Sequence, residues 1–133
     1  MIFVDTSVLI DFLRGRKTTA AERLRALERD NTPILIPAVC YQEILQGAKD
    51  EREWALLRSN LDTQRISVPI DLMGVHREAA RIFFDCRKRG LTIRSSVDCF
   101  IAAQVLESKG TLLHADDDFD RIAKARRLSV LRS

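Results

Sequence analysis

Short apolar runs alternate along the chain with longer stretches whose apolar residues recur every three or four positions. Ile2-Phe3-Val4, closed by Asp5-Thr6-Ser7, reads as a buried strand passing into a helix N-terminus. That helix should run to about Arg14 and stop at Gly15; Thr18 or Thr19 then opens an amphipathic helix with Ala20, Leu24 and Leu27 on one face. Pro33-Ile34-Leu35-Ile36-Pro37 is fenced by prolines and too short for a helix, so it predicts a strand, with Pro37 near the first turn of the next helix. Val39, Ile44 and Leu45 mark that helix as far as Gly47, and a further helix from about Asp50 to Leu61 carries Trp54. Arg65-Ile66-Ser67-Val68 is a third strand. Asp71 caps a long helix to Arg89 whose Leu72, Val75, Ala79, Ile82, Phe83 and Cys86 follow the helical period, with Gly90 as its stop. Ser95 or Ser96 begins the most apolar helix, Val97 to about Glu107, ended by Gly110. Thr111-Leu112-Leu113, a helix from Asp116 to Lys124 and the strand Leu128-Ser129-Val130-Leu131 complete the pattern. Short strands alternating with helices predict an α/β fold with a central, mainly parallel sheet of about four to five strands, covered on both faces.

With 133 residues the chain fits one domain, residues 1–133, large enough to form a core without disulfide or metal staples. Hydrophobic residues at 46% and charged residues at 31% exclude disorder as the main state. No stretch approaches the roughly 18 apolar residues of a membrane helix, and the N-terminus has no secretory pattern, so a cytoplasmic chain that is neither exported nor inserted is expected. Cys40, Cys86 and Cys99 are widely spaced and have only His76 and His114 for company, which suggests neither a disulfide framework nor a zinc site. A net charge of +3 leans only weakly toward a polyanionic partner.

Ligands of open α/β sheets bind beyond the carboxyl ends of the strands, which directs attention to polar residues just after strands. Asp5 follows the first strand, and Asp116-Asp117-Asp118 follows Leu112-Leu113. Asp98 stands in the first turn of the most apolar helix. Each has a plain structural alternative: Asp5 and Asp116 as helix caps, Asp98 as the partner of Ser95 in a capping pair. An acid among Val97, Cys99, Phe100 and Ile101 nevertheless needs a cation or a donor. Glu43 falls one turn after Val39 and Cys40 on a helix that follows the second strand, so it can point inward. Convergence of Asp5, Glu43, Asp98 and Asp116 would crowd like charges that protons or a cation must neutralise. An all-oxygen set favours magnesium or manganese, and with it phosphoryl chemistry by water activated at the metal. A calcium loop at Asp116-x-Asp118-x-Asp120 is excluded because Arg121 and Arg127 stand where Gly and Glu are required. Arg77, Arg81, Arg87, Lys88, Arg89 and Arg94 precede Asp98, and Arg94 is the one best placed to meet a phosphate beside it.

Together, Ile-Phe-Val-Asp-Thr-Ser at the N-terminus, Pro-Ala-Val-Cys-Tyr-Gln-Glu-Ile, Ile-Arg-Ser-Ser-Val-Asp-Cys-Phe-Ile-Ala-Ala and Leu-Leu-His-Ala-Asp-Asp-Asp-Phe-Asp resemble PIN-domain ribonucleases, and among them the VapC toxins of toxin–antitoxin modules. The resemblance covers nearly the whole chain. It implies a three-layer α/β/α sandwich and a Mg²⁺- or Mn²⁺-dependent endoribonuclease that leaves 5′-phosphate and 3′-hydroxyl ends. It also implies catalytic acids at Asp5, Glu43, Asp98 and Asp116, with Asp5, Asp98 and Asp116 as metal ligands and Asp118 as a further member of the set. Ser7 and Thr6 match a hydroxyl position that orders the site, and Arg94 would support the substrate. The implied partners are RNA, a VapB-type antitoxin and a second copy in a homodimer. The alternatives are a non-catalytic nucleic-acid-binding subunit, or a nuclease of the same kind acting on DNA.

Overall fold

Each expected strand forms, and together they make one wholly parallel sheet in this computed structural model, which describes residues 1–132. Strand β1 (Ile2–Val4) lies between β2 (Ile34–Pro37) and β4 (Thr111–His114), with β3 (Ile66–Ser67) outside β2 and β5 (Ser129–Arg132) outside β4. The chain steps from β1 to β2 to β3 in one direction, then returns to the other side of β1 for β4 and β5. That reversal opens a crevice at the carboxyl ends of β1 and β4, where Val4 pairs with Leu113.

Helices α1 (Thr6–Leu13) and α2 (Thr19–Arg29) connect β1 to β2, and α3 (Ala38–Gln46) and α4 (Glu51–Leu61) connect β2 to β3. Helices α5 (Leu72–Lys88) and α6 (Ser96–Glu107) return the chain to β4, and α7 (Asp117–Ala125) leads to β5. α1 packs on α2 and α3, and α3 on α4, whereas α5, α6 and α7 pack on one another. The two groups cover opposite faces of the sheet, giving the three-layer α/β/α arrangement. Phe3, Val4, Leu112 and Leu113 are completely buried between them. α6 buries Cys99, Ile101, Ala102, Ala103, Gln104 and Val105 on nearly every side, which is why its sequence is apolar all round.

Side chains cap three of these helices: Thr18 Oγ1 accepts from Ala21 N at 3.1 Å, Asp50 Oδ1 from Glu53 N at 2.7 Å and, as the sequence predicts, Asp71 Oδ1 from Gly74 N at 3.0 Å. Elsewhere local pattern gives way to packing. β3 is an edge pair of residues only, with Val68 exposed beyond it. Leu72 falls on the helical period but is 53% exposed, while Val75, Ala79, Ile82 and Cys86 of the same helix are buried. The left-handed residue after α6 is Lys109 (φ 54°), not Gly110. Gly110 is needed for another reason: a Cβ there would stand 2.7 Å from Cε2 of the Phe3 ring.

Candidate metal centre

Asp5 follows β1 at the N-cap position of α1, and its amide reaches across to Leu113 O of β4 at 3.3 Å. Its carboxylate does not cap the helix. Both oxygens instead face the Ser7 hydroxyl, at 2.8 and 2.9 Å, and Ser7 Oγ accepts the Ala115 N–H at 3.1 Å. One hydroxyl thus ties the ends of the two central strands together and fixes the direction of Asp5. Burial raises the Asp5 carboxyl to about 6; the Ser7 hydrogen bond opposes the shift and the charge of Asp116 adds to it. The preceding residue performs a parallel task, since Thr6 Oγ1 donates to Glu43 Oε1 at 2.8 Å. Cys40 lies buried between these two acids, close enough to be affected by the charge of each, and burial pushes its thiol up to about 12. Burial likewise raises Cys86 and Cys99, so none of the three thiols is a ready nucleophile.

Across the crevice, one oxygen from each of Asp98, Asp116 and Asp118 lies within 4.8 Å of the other two. Asp116 caps α7, accepting from Asp118 N at 2.9 Å, and is paired with Arg94 Nη2 at 3.3 Å. Asp118 is 1% exposed and well supplied with donors: the Arg94 amide at 3.0 Å, the Ser95 amide at 3.1 Å and Arg121 Nη1 at 3.1 Å. Burial works to raise the Asp118 carboxyl, but the Arg94 amide, a shared hydrogen bond with Asp98 and the Ser95 amide outweigh it, and the net shift is downward. Asp98 is 9% exposed, and its carboxyl is raised to about 8, by burial first, then by the hydrogen bond to Asp118 and the charges of Asp116, Asp118 and Asp5. Near neutral pH, the neutral form of Asp98 is therefore favoured.

The expected capping pair of Ser95 with Asp98 does not form. Ser95 occupies the N-cap without a side-chain cap bond, and its own amide is held by Asp118. Asp118 thereby fastens the segment leading into α6 and so places Asp98. Asp5 lies outside the compact trio, although its charge is felt at Asp98. Glu43 is bound to Thr6 and is not part of the trio either.

Residues 2–125 match the PIN domain family. Over 134 aligned residues the chain is 33% identical to VapC ribonuclease Mb1587 of Mycobacterium bovis and to Ribonuclease VapC11 of Mycobacterium tuberculosis, with 98% of this chain and 97% of each relative covered. It belongs to the PIN-domain family, in its VapC branch. The PIN fold is also seen in the crystal structure of VapBC2 from Rickettsia felis bound to a promoter DNA fragment, which superposes with a TM-score of 0.78 at 19% identity over 100% of this chain and 99% of the other.

The trio of this PIN domain suits a hard divalent cation. Its ligand atoms are all oxygen, and burial beside neighbouring carboxylates raises the Asp98 carboxyl, a crowding of like charge that a bound cation would offset. His114 is no competitor for such an ion: its Nδ1 accepts the Asp116 N–H at 3.3 Å, and its buried Nε2 faces Asp120 at 3.6 Å without a hydrogen bond. His114 carries no functional signal in the sequence, yet it steadies the backbone of Asp116. No spacing rule connects an imidazole to an amide two residues on.

Proposed function

We propose that this PIN domain is a Mg²⁺- or Mn²⁺-dependent endoribonuclease, the toxin of a toxin–antitoxin pair, restrained by a VapB-type antitoxin and acting as a homodimer in the cytoplasm. The observation that carries the catalytic reading is the compact Asp98–Asp116–Asp118 trio, whose ligand oxygens lie within 4.8 Å of one another. The kinship with VapC ribonucleases supports RNA as substrate and a VapB-type partner. Three buried, unpaired thiols suit a reducing compartment, and among the described residues no helix is long and apolar enough to cross a membrane.

Asp98 and Asp116 would hold the ion, with Asp118 and Asp5 at its edge. When bound, such an ion supplies Lewis-acid stabilisation of charge at the scissile phosphate. The chain's own groups do the rest. Ser7 holds both Asp5 oxygens in place just past the end of β1, and Thr6 holds Glu43 so that its carboxylate can take a proton from the attacking water. Arg94, 65% exposed and resting between Asp116 and Asp118, can swing one guanidinium edge onto a phosphate oxygen. Water oxygen bonds to phosphorus, the bond from phosphorus to O3′ breaks, and O3′ receives a proton, leaving 5′-phosphate and 3′-hydroxyl ends. Cleavage of a labelled single-stranded RNA by the purified protein should require Mg²⁺ or Mn²⁺, cease in chelator and return on re-addition. Undiminished cutting in chelator would overturn the reading. Preference for DNA over RNA would redirect it to the related nuclease.

A further inference from the structure

The outer side of α5 carries basic residues that the catalytic reading does not use. Arg77, Arg81, Phe84 and Lys88 recur at helical spacing and all face solvent, with the Phe84 ring 40% exposed. The Arg81 guanidinium lies 4.9 Å from the centre of that ring and the Lys88 ammonium 5.5 Å from it. Phe84 is thus an exposed aromatic platform flanked by two cations. The acids of the same helix do not cancel this charge: Glu78 and Asp85 are both bound to Arg126, at 2.8 Å each, and only Arg81 also touches Asp85. Arg77 and Lys88 have no carboxylate within ion-pair distance among the described residues.

The platform also lies at the useful end of the helix. The link Arg89–Ser95 runs from the end of α5 to the start of α6, whose first turn holds Asp98.

We propose that the Arg81–Phe84–Lys88 stripe binds single-stranded RNA by stacking a base on Phe84 and pairing Lys88 and Arg81 with the flanking phosphates. It thereby holds the strand on the end of α5 from which the chain leads into Asp98. The inference rests on the ribonuclease reading for its direction, and its chemistry on two features: an aromatic face stacks on any unpaired base, and cations over that face can move to phosphates when a base displaces them. A duplex has no free base face to offer, so the stripe selects single strands.

The test is fluorescence anisotropy of a labelled single strand of about 12 nucleotides, with the full chain in chelator so that nothing is cut. Phe84→Ala should weaken binding about tenfold, and Phe84→Trp should restore it, which separates stacking from misfolding. Lys88→Ala should reduce the slope of log affinity against log salt by about 0.7. A duplex of the same sequence should bind more weakly and ignore Phe84→Ala. Single-strand binding that Phe84→Ala leaves unchanged would overturn the proposal and leave the stripe to a protein partner, and so would equal loss for duplex and single strand. Whether the wild type cuts RNA with Mg²⁺ is measured separately, so a failed nuclease reading and a failed binding stripe give different results.

Discussion

Asp98 and Asp118 bring carboxylate oxygens within 4.8 Å of each other yet are shifted in opposite directions, Asp98 up to about 8 and Asp118 below its ordinary value. The asymmetry follows from their donors. Asp118 has two backbone amides and a guanidinium, while Asp98 has burial and three neighbouring negative charges.

Stability of the ion-free protein should therefore fall as pH rises. A carboxyl with a folded pKa of about 8 and an unfolded value of 3.8 holds its proton in the folded chain after the unfolded chain has lost it, so its contribution declines between those values and is level above the upper one. Asp5 behaves the same way up to about 6. Asp118 and the burial-lowered His114 act in the opposite sense, each losing stability as pH falls, His114 below its ordinary 6.5. From about pH 6.5 to 8, Asp98 is left as the main titrating group among them. Melting temperature in chelator should drop across that window. With excess Mn²⁺ the trend should reverse, because the cation takes the place of the proton.

The same isosteric change at the two carboxyls should have opposite effects on stability. Asp98→Asn removes a buried group that resists ionising, so at pH 8 the ion-free protein should melt at or above the wild type, while RNA cleavage falls by about two orders of magnitude or more. Asp118→Asn turns an acceptor of three donors into a group with its own N–H bonds facing the Arg94 and Ser95 amides, and should cost about 1.5–3 kcal/mol. Urea melts of both variants in chelator test the pair; equal destabilisation would contradict the assignment of the proton to Asp98.

Ser7 should matter more to cation affinity than to folding. In Ser7→Ala, Asp5 loses its side-chain donor and the Ala115 amide loses its acceptor. The Ala115 amide is near solvent and can turn to water, which limits the stability loss to about 1 kcal/mol. A misdirected Asp5 should raise the Mn²⁺ concentration for half-maximal cleavage about 10- to 100-fold, measured by titrating the ion into the cleavage assay.

The first four strands are legible because proline, glycine or aspartate borders each apolar run, and Asp5 and Asp116 because each stands just past a central strand. Asp98 was legible because an acid conflicts with the apolar helix around it. Its partner was not. The bonds from Asp118 to the Arg94 and Ser95 amides join segments 24 and 23 residues apart, and only the packing of α7 against α6 brings them together. Local pattern pointed instead to a Ser95–Asp98 cap, which the stronger charge-assisted acceptor at Asp118 displaces. Glu43 shows the same limit: helical spacing turned it inward, but its neighbour is the Thr6 hydroxyl, and its separation from the trio is not encoded in spacing.

Gly110→Ala tests the packing that sets the register of β4 beside β1. The added methyl would meet Cε2 and Cδ2 of Phe3 at 2.7 and 2.8 Å, and that ring is completely buried, with no solvent to swing into. Either β4 shifts outward or the ring leaves its rotamer, at a cost of about 1–3 kcal/mol. An outward shift would also stretch the bond from Asp5 N to Leu113 O and carry Asp116 away from Asp98, so cleavage should fall along with stability. Trimming the ring should relieve the clash. In the Phe3→Leu background the cost of Gly110→Ala should be smaller than in the wild type by a measurable coupling energy of about 0.5 kcal/mol or more. Additive losses in denaturant melts would place the strain elsewhere and detach Gly110 from the alignment of the two strand ends.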